Sequence, residues 1–290
     1  MRAYAKVNLA LSVGPRRPDD GLHPIASWFH AIDLFDDVEV EPLSAGDADH
    51  FDIRWTPSAP VRSIVNWPLE QDLAVRAHRV IQAHAGHRLP VSLGLTKRTP
   101  VGAGLGGGSA DAAAALMLVN AAFGVGCSME DLGRLARQLG SDVPFFLEDS
   151  PPRPAIVTGA GERVDRIGRT QGYLVLVLPP FPCSTSAVYA AYDTLGPRPL
   201  RETQVRAAAQ HAWIDPAVLF NDLTAAAESV EPRLGALRRD IAGAARQPVH
   251  MTGSGSGLFI TCADDAEARR TAAAITPVAK DCTILRPRLM

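Results

Sequence analysis

The run PVGAGLGGGSADAAAAL, residues 100–116, is where chemistry is most legible in this chain. Gly102, Gly104, Gly106, Gly107 and Gly108 strip most Cβ atoms from a short loop, so its backbone can adopt positive φ and approach a ligand closely. A small-residue helix is expected directly behind it, with Ser109 as its N-cap. A helix N-terminus offers unpaired amides and partial positive charge, so the expected occupant is the phosphate chain of a nucleotide. Four further places carry groups able to do chemistry: Lys6 and Asn8 near the start, His23 in a turn-rich loop, Asp142 in LGSDVPFFL, and the second glycine run at Gly253, Ser254, Gly255 and Gly257. Each also has a bland reading: a solvated strand charge, a surface histidine, an Asx-turn carboxylate and a tight hairpin.

Two other phosphate motifs compete for the glycine run. A Walker loop needs Lys after its glycines, and none follows. GAGLGG satisfies the GxGxxG dinucleotide fingerprint, but Lys97-Arg98-Thr99-Pro100 separates it from the preceding apolar strand, where that turn should follow directly. A glycine turn that merely packs a small-residue helix on a sheet is the remaining alternative.

These groups need elements to hold them. Residues 4–13 alternate as a strand, with Val7, Leu9, Leu11 and Val13 on one face and Lys6 and Asn8 on the other. Residues 14–24 read as a loop, 27–43 as a strand ending in an alternating edge, and 44–60 as a loop with a short edge strand. A helix at 71–86 ends on Gly86, a strand spans 91–97, and Ser128 with Asp131 starts another helix in capping-box fashion, ending near Gly140. Beyond the proline cluster 151–154 come a hairpin, a buried strand from 173, and helices at 184–194, about 203–213 and 217–229. Another helix starts at Pro232, 249–262 is strand–turn–strand, a helix covers 265–275, and a last strand lies near 281–286. The order strand–helices–strand–strand–helix–strand predicts an α+β second domain with a small antiparallel sheet.

At 290 residues two domains are expected, divided near 168 into 1–168 and 169–290. Hydrophobic residues make up 47% and charged residues 21%, as in a soluble globular protein. A net charge of −2 argues against bulk attraction to nucleic acid or an anionic membrane, and no apolar run spans a bilayer. The N-terminal residues lack a signal-peptide core, and Cys127, Cys183, Cys262 and Cys282 show no metal spacing, so reduced thiols and a cytoplasmic location are expected.

Together the glycine run, AKVNLALSVGPRRPDDGLH (5–23), LGSDVPFFL (139–147), NDLTAAAESVEPRL (221–234) and MTGSGSGLFI (251–260) resemble the GHMP kinases, from residue 5 to about 260. The N-terminal stretch and GSDVPFF point to the branch whose substrate is a cytidine diphosphate-linked methylerythritol, in non-mevalonate isoprenoid precursor synthesis. The resemblance implies a two-domain α+β architecture: an N-terminal ribosomal-protein-S5-domain-2-like α/β domain, a C-terminal ferredoxin-like domain, and an active site in the cleft between. It further implies ATP as co-substrate and Mg2+, with Pro100, Val101, Gly102, Ala103, Gly104, Leu105, Gly106, Gly107, Gly108, Ser109 and Ala110 around the ATP phosphates. Lys6 and Asp142 match the catalytic lysine and aspartate. Asn8, His23, Thr185 and Tyr189 match the substrate pocket, His23 reading the cytosine edge and Tyr189 stacking on it, while Gly253, Ser254 and Gly255 face substrate and phosphates.

The chemistry agrees: phosphoryl transfer needs positioning and charge neutralisation. With no lysine in the loop, Lys6 is the expected source of the cation, and Asp142 is expected to accept the proton of the attacking hydroxyl. Two positions depart from the pattern: Leu22 stands where an aromatic is usual, and Asp72 where Asn is usual beside the adenine pocket. A kinase for a different alcohol, or an ATP-binding sensor on the same fold, remain the alternatives. A monomer or homodimer is expected.

Overall fold

β1 (Arg2–Val13) is buried from Ala3 onward on both faces, so the side carrying Lys6 and Asn8 is interior rather than solvated. The computed structural model describes residues 1–62, 67–210 and 213–290. β1 pairs with β2 (Ile25–Pro42), a long strand whose two halves bond different partners, so it is central and not the edge its alternation suggests. By contact the chain divides into two compact units: Met1–Ala5, Leu34–Val101 and Gly106–Pro152 form one, and Lys6–Asp33, Gly102–Leu105 and Arg153–Met290 the other.

In the first unit, β3 (His50–Trp55) is a short edge strand, as expected, lying parallel to β4 (Val91–Lys97), which pairs antiparallel with Asp37–Pro42 of β2. α1 (Leu73–Ala85) lies between them in sequence. Asp72 caps it by accepting the Ala74 amide, and takes the Trp67 indole N–H on its other oxygen at 3.3 Å. The chain leaves α1 through Gly86 at φ +72°. α2 (Gly107–Phe123) is mostly apolar and packs on α1 and on α3 (Met129–Leu139), with Ala110 and Ala112 to Ala115 buried. α3 opens with the expected capping box of Ser128 and Asp131 and ends at Gly140.

In the second unit, β5 (Ala155–Gly159) pairs with Ile25–Phe29 of β2 and with β6 (Arg163–Arg166). β7 (Tyr173–Leu178) leads into α4 (Thr185–Leu195) and α5 (Glu202–Ala208); residues 211–212 of the helix expected to 213 lie outside the described residues. α6 (Thr224–Val230) starts after Asn221 and Asp222, which therefore lie on the approach and not inside a helix from 217. α7 (Pro232–Ala245) follows with Pro in its first turn, then β8 (His250–Met251), β9 (Leu258–Cys262), α8 (Asp265–Ile275) and β10 (Thr283–Leu285). The sheet order β10-β7-β9-β8, antiparallel throughout, is the ferredoxin-like arrangement expected from the element order.

Candidate active site

In the first unit the expected phosphate cradle is the start of α2. Its N-cap is Gly106 at φ +68°, not Ser109, which is the third helical residue. The left-handed turn at Gly106 starts the helix three residues early, and Ala110 N donates to Gly106 O at 2.9 Å. No side chain caps this end, so the Gly107, Gly108 and Ser109 amides lack both an intrahelical carbonyl and a capping oxygen. Pro100 is buried, Val101 exposed and Ala110 buried. Gly107 lies so close to Thr99 that a Cβ would come within 2.7 Å of its Cγ2.

Beneath this turn sits a cluster that the sequence pattern did not single out. The Lys97 ammonium donates to Asp36 at 2.6 Å and to Asp111 at 2.5 Å, all three side chains buried. Burial works against the lysine charge, but Asp111 and Asp36 outweigh it and hold the ammonium above the ordinary lysine value. Burial also holds Asp111 above the usual carboxylate range, against the pull of Lys97. Asp142 belongs to the same unit: it precedes the 3-10 turn Val143–Phe146, which packs on α2, and its carbonyl accepts the Phe145 amide at 3.2 Å.

In the second unit the loop 102–105 and the turn 252–257 interlock through main chain. A Cβ on Gly104 would meet Thr252 O at 2.4 Å, and one on Gly257 would meet Ala103 O at 2.5 Å. Gly253 is less crowded but still tight, its Cβ position 3.1 Å from Gly104 Cα. Only glycines permit this approach, with Gly104, Gly253 and Gly255 at positive φ. Lys6 N fastens to Leu105 O at 2.8 Å.

The Lys6 ammonium donates to Asn8 Oδ1 at 2.6 Å and lies 4.7 Å from the Phe29 ring centre. Asn8 Nδ2 donates to Ser27, whose hydroxyl donates to Ala10 O. Thr252 Oγ1 accepts the Asn8 amide at 3.0 Å, and its one proton has Asn8 Oδ1 at 3.3 Å and Gly104 O at 3.2 Å within reach. Thr252 thus joins the lysine's support to both glycine loops. Local pattern does not reveal it, since its partner lies 244 residues away in the chain.

Gly104→Ala combines a left-handed backbone with a clash against a fixed carbonyl, and is expected to cost about 2–4 kcal/mol of stability. Gly102→Ala has the same sign of φ but its nearest neighbour is Pro182 Cβ at 3.9 Å. It is expected to cost about 1–2 kcal/mol, the backbone cost alone. Urea unfolding of the two variants checks the contrast; equal losses would mean that the two loops are not locked together at Gly104.

His23, Tyr189 and Tyr192 form an aromatic group, with the His23 ring 5.2 Å from Tyr189 and 5.9 Å from Tyr192. Gly14 O, which can only accept, lies 2.9 Å from His23 Nδ1, so that nitrogen carries the proton. Nε2 faces Asp193 Oδ1 at 3.3 Å. Tyr192 donates to Val13 O, fixing α4 against β1. Thr185, at the start of α4, shares a hydrogen bond with Ser254 at 2.9 Å, bringing two expected substrate residues together. Leu22 stands exposed at 51%. Asn221 donates to Met251 O and Gly253 O at 2.9 and 2.8 Å, and accepts the Leu223 amide, so it holds the second glycine turn. Asp222 accepts from Ser12, Val13 N and Arg201.

The second unit therefore gathers Lys6, Asn8, Gly104 and Gly253, and beside α4 pairs His23 with Tyr189 and Thr185 with Ser254. Gly106 to Ala110 and Asp142 belong to the first. Among the described residues no group of three or more His, Cys, Asp or Glu side chains is arranged to hold a metal, and no helix is long and apolar enough to cross a membrane.

Residues 72–149 match the family model of the GHMP kinase N-terminal domain. A 4-diphosphocytidyl-2-C-methyl-D-erythritol kinase from Pelotomaculum thermopropionicum is 37% identical over 275 residues, covering 93% of this chain and 91% of the relative. A crystal structure of 4-(cytidine 5'-diphospho)-2C-methyl-D-erythritol kinase superposes over 100% of this chain and 98% of its own, with TM-score 0.77 and 33% identity. The Methanococcus jannaschii mevalonate kinase shares the fold at TM-score 0.68 and 10% identity, covering 100% of this chain and 98% of its own.

Proposed function

The chain belongs to the 4-diphosphocytidyl-2-C-methyl-D-erythritol kinases, a branch of the GHMP kinases, and we propose that Lys6, Asp142 and the two glycine loops carry out its reaction. It is an ATP-dependent small-molecule kinase that phosphorylates a cytidine diphosphate-linked methylerythritol in non-mevalonate isoprenoid precursor synthesis. The acceptor in our reading is the 2-hydroxyl. The observation that carries this reading is end-to-end similarity to such kinases together with two glycine loops in which Gly104 and Gly257 leave no room for a Cβ.

In this mechanism the amides of Gly107, Gly108 and Ser109 hold the phosphate chain by backbone donors and the positive end of α2. Asp142 takes the proton as the hydroxyl oxygen bonds to the γ-phosphorus; the bond from that phosphorus to the bridging oxygen breaks and ADP leaves. Lys6 offsets the negative charge that develops, and Asn8 aims its ammonium. Magnesium, when bound, neutralises the phosphates. Phosphate and water oxygens would form most of its shell, with Ser109 the one first-turn hydroxyl on hand. We place the nucleotide on residues 1–168 and substrate closure on 169–290, in a cytoplasmic monomer or homodimer.

The test is ADP release coupled to a dehydrogenase, with the cytidylyl substrate set against mevalonate and homoserine as rival alcohols. Turnover confined to the cytidylyl compound is expected; turnover of a rival alone would move the chain to another substrate. ATP binding without turnover of any of the three would leave a sensor.

His23 gives a sharper check. With Nδ1–H spent on Gly14 O, Nε2 is the ring nitrogen left for a cytosine edge, which would have to take it from Asp193 Oδ1 at 3.3 Å. His23→Ala is expected to raise KM for the substrate about tenfold or more, the worth of one hydrogen bond in a desolvated site, and to leave KM for ATP nearly unchanged. CDP should compete with substrate in the native enzyme and lose that ability in the variant. An unaltered inhibition constant would remove His23 from the base pocket.

A further inference from the structure

Lys97 ends β4, the strand that runs into the glycine loop, yet its ammonium is turned inward and is 3% exposed. It has two carboxylate partners from distant parts of the chain: Asp36 on β2 and Asp111 in the second turn of α2. Asp36 does more than pair with the lysine. Its other oxygen accepts the Arg98 and Thr99 amides at 2.5 and 2.7 Å, holding the segment between β4 and the loop by main chain. Thr99 is in turn the residue against which Gly107 is packed, leaving no room for a Cβ. Asp111 Oδ1 is buried with no hydrogen-bond partner among the described residues, so Asp111 is tied into its surroundings chiefly through the bond to Lys97.

Taken singly, a buried ammonium with two carboxylates is an expensive way to hold a fold, since desolvating three charges is repaid only by good geometry. Here the geometry connects the three pieces of backbone whose relative placement aims the first amides of α2: the end of β4, the middle of β2, and α2 itself.

Resting on the reading that α2 binds the ATP phosphates, we propose that Lys97 is a positioning residue for nucleotide binding: through Asp111 and Asp36 it fixes the N-terminus of α2, holding the Gly107–Ser109 amides in register for a phosphate chain. The residue touches no reacting atom, and its effect is confined to the phosphate end of the nucleotide.

Binding of ATP and of adenosine to the full chain, measured by calorimetry, separates this role from general support of the fold. Native enzyme should prefer ATP strongly over adenosine. Lys97→Met should weaken ATP about tenfold or more and adenosine less than about twofold, so the preference collapses. Asp111→Ala leaves the Lys97–Asp36 pair standing and should produce the same split, which covers the case in which Lys97→Met does not fold. Equal weakening of both ligands in the folded variants, or a retained preference for ATP, overturns the proposal. A native enzyme that binds ATP no better than adenosine would instead overturn the phosphate reading itself.

Discussion

Asp142→Asn should lower kcat by about 10²–10⁴-fold, the usual worth of a positioned general base, and leave ATP affinity nearly unchanged. The substitution keeps the shape but removes the negative charge, and with it the ability to take a proton. The turn that Asp142 begins should survive, because main-chain bonds and the buried Val143, Pro144, Phe145 and Phe146 hold it without a side-chain cap from Asp142. Single-turnover phosphoryl transfer at saturating ATP is the measurement, with calorimetric ATP binding as control. If kcat stayed within tenfold of native, the base would have to be sought elsewhere.

How much of this was legible beforehand depended on how local the signal was. β4 at 91–97 and α8 at 265–275 fall within the bounds expected of them, since each pattern is complete within one element. The start of α2 did not. Ser109 is the better capping residue by type, but the left-handed Gly106 ends the loop earlier and lets two glycines enter the helix. Lys97 read as part of a polar spacer, because nothing near it in sequence says that Asp36 and Asp111 await it 61 and 14 residues away. Lys6 and Asn8 were correctly put on one face of β1, yet that face is buried, and only the positions of Ser27 and Thr252 show why a polar face can be. Period reveals which residues share a side; it does not reveal what the side meets.

The same contrast explains why glycine dominates the recognisable motif. The loop 102–105 and the turn 252–257 touch backbone to backbone, so the constraint at Gly104 and Gly257 is exclusion of a Cβ. Such a constraint survives in sequence as residue identity. The supports around it, Thr252 and Asn221, act through hydrogen bonds to main chain, and their residue types alone do not announce that role.

Lys6→Met is expected to remove most of the activity from a protein that still folds. The ammonium is buried at 3% exposure, held by Asn8 Oδ1 and lying over the Phe29 ring. Methionine fills the space of the lysine stem with an apolar chain, and Thr252 Oγ1 already stands 3.3 Å from the Asn8 oxygen that the ammonium would vacate. Methionine keeps the packing of the lysine stem, so the variant should still fold. Meanwhile kcat should fall about 10²–10³-fold, the loss typical when a group aimed at developing charge is deleted, with KM for ATP changed much less. A residue kept for folding would show the reverse, a lower midpoint with activity per folded molecule intact. That outcome, or a kcat within tenfold of native, would strip Lys6 of its electrostatic role and leave its burial beside Asn8 as packing.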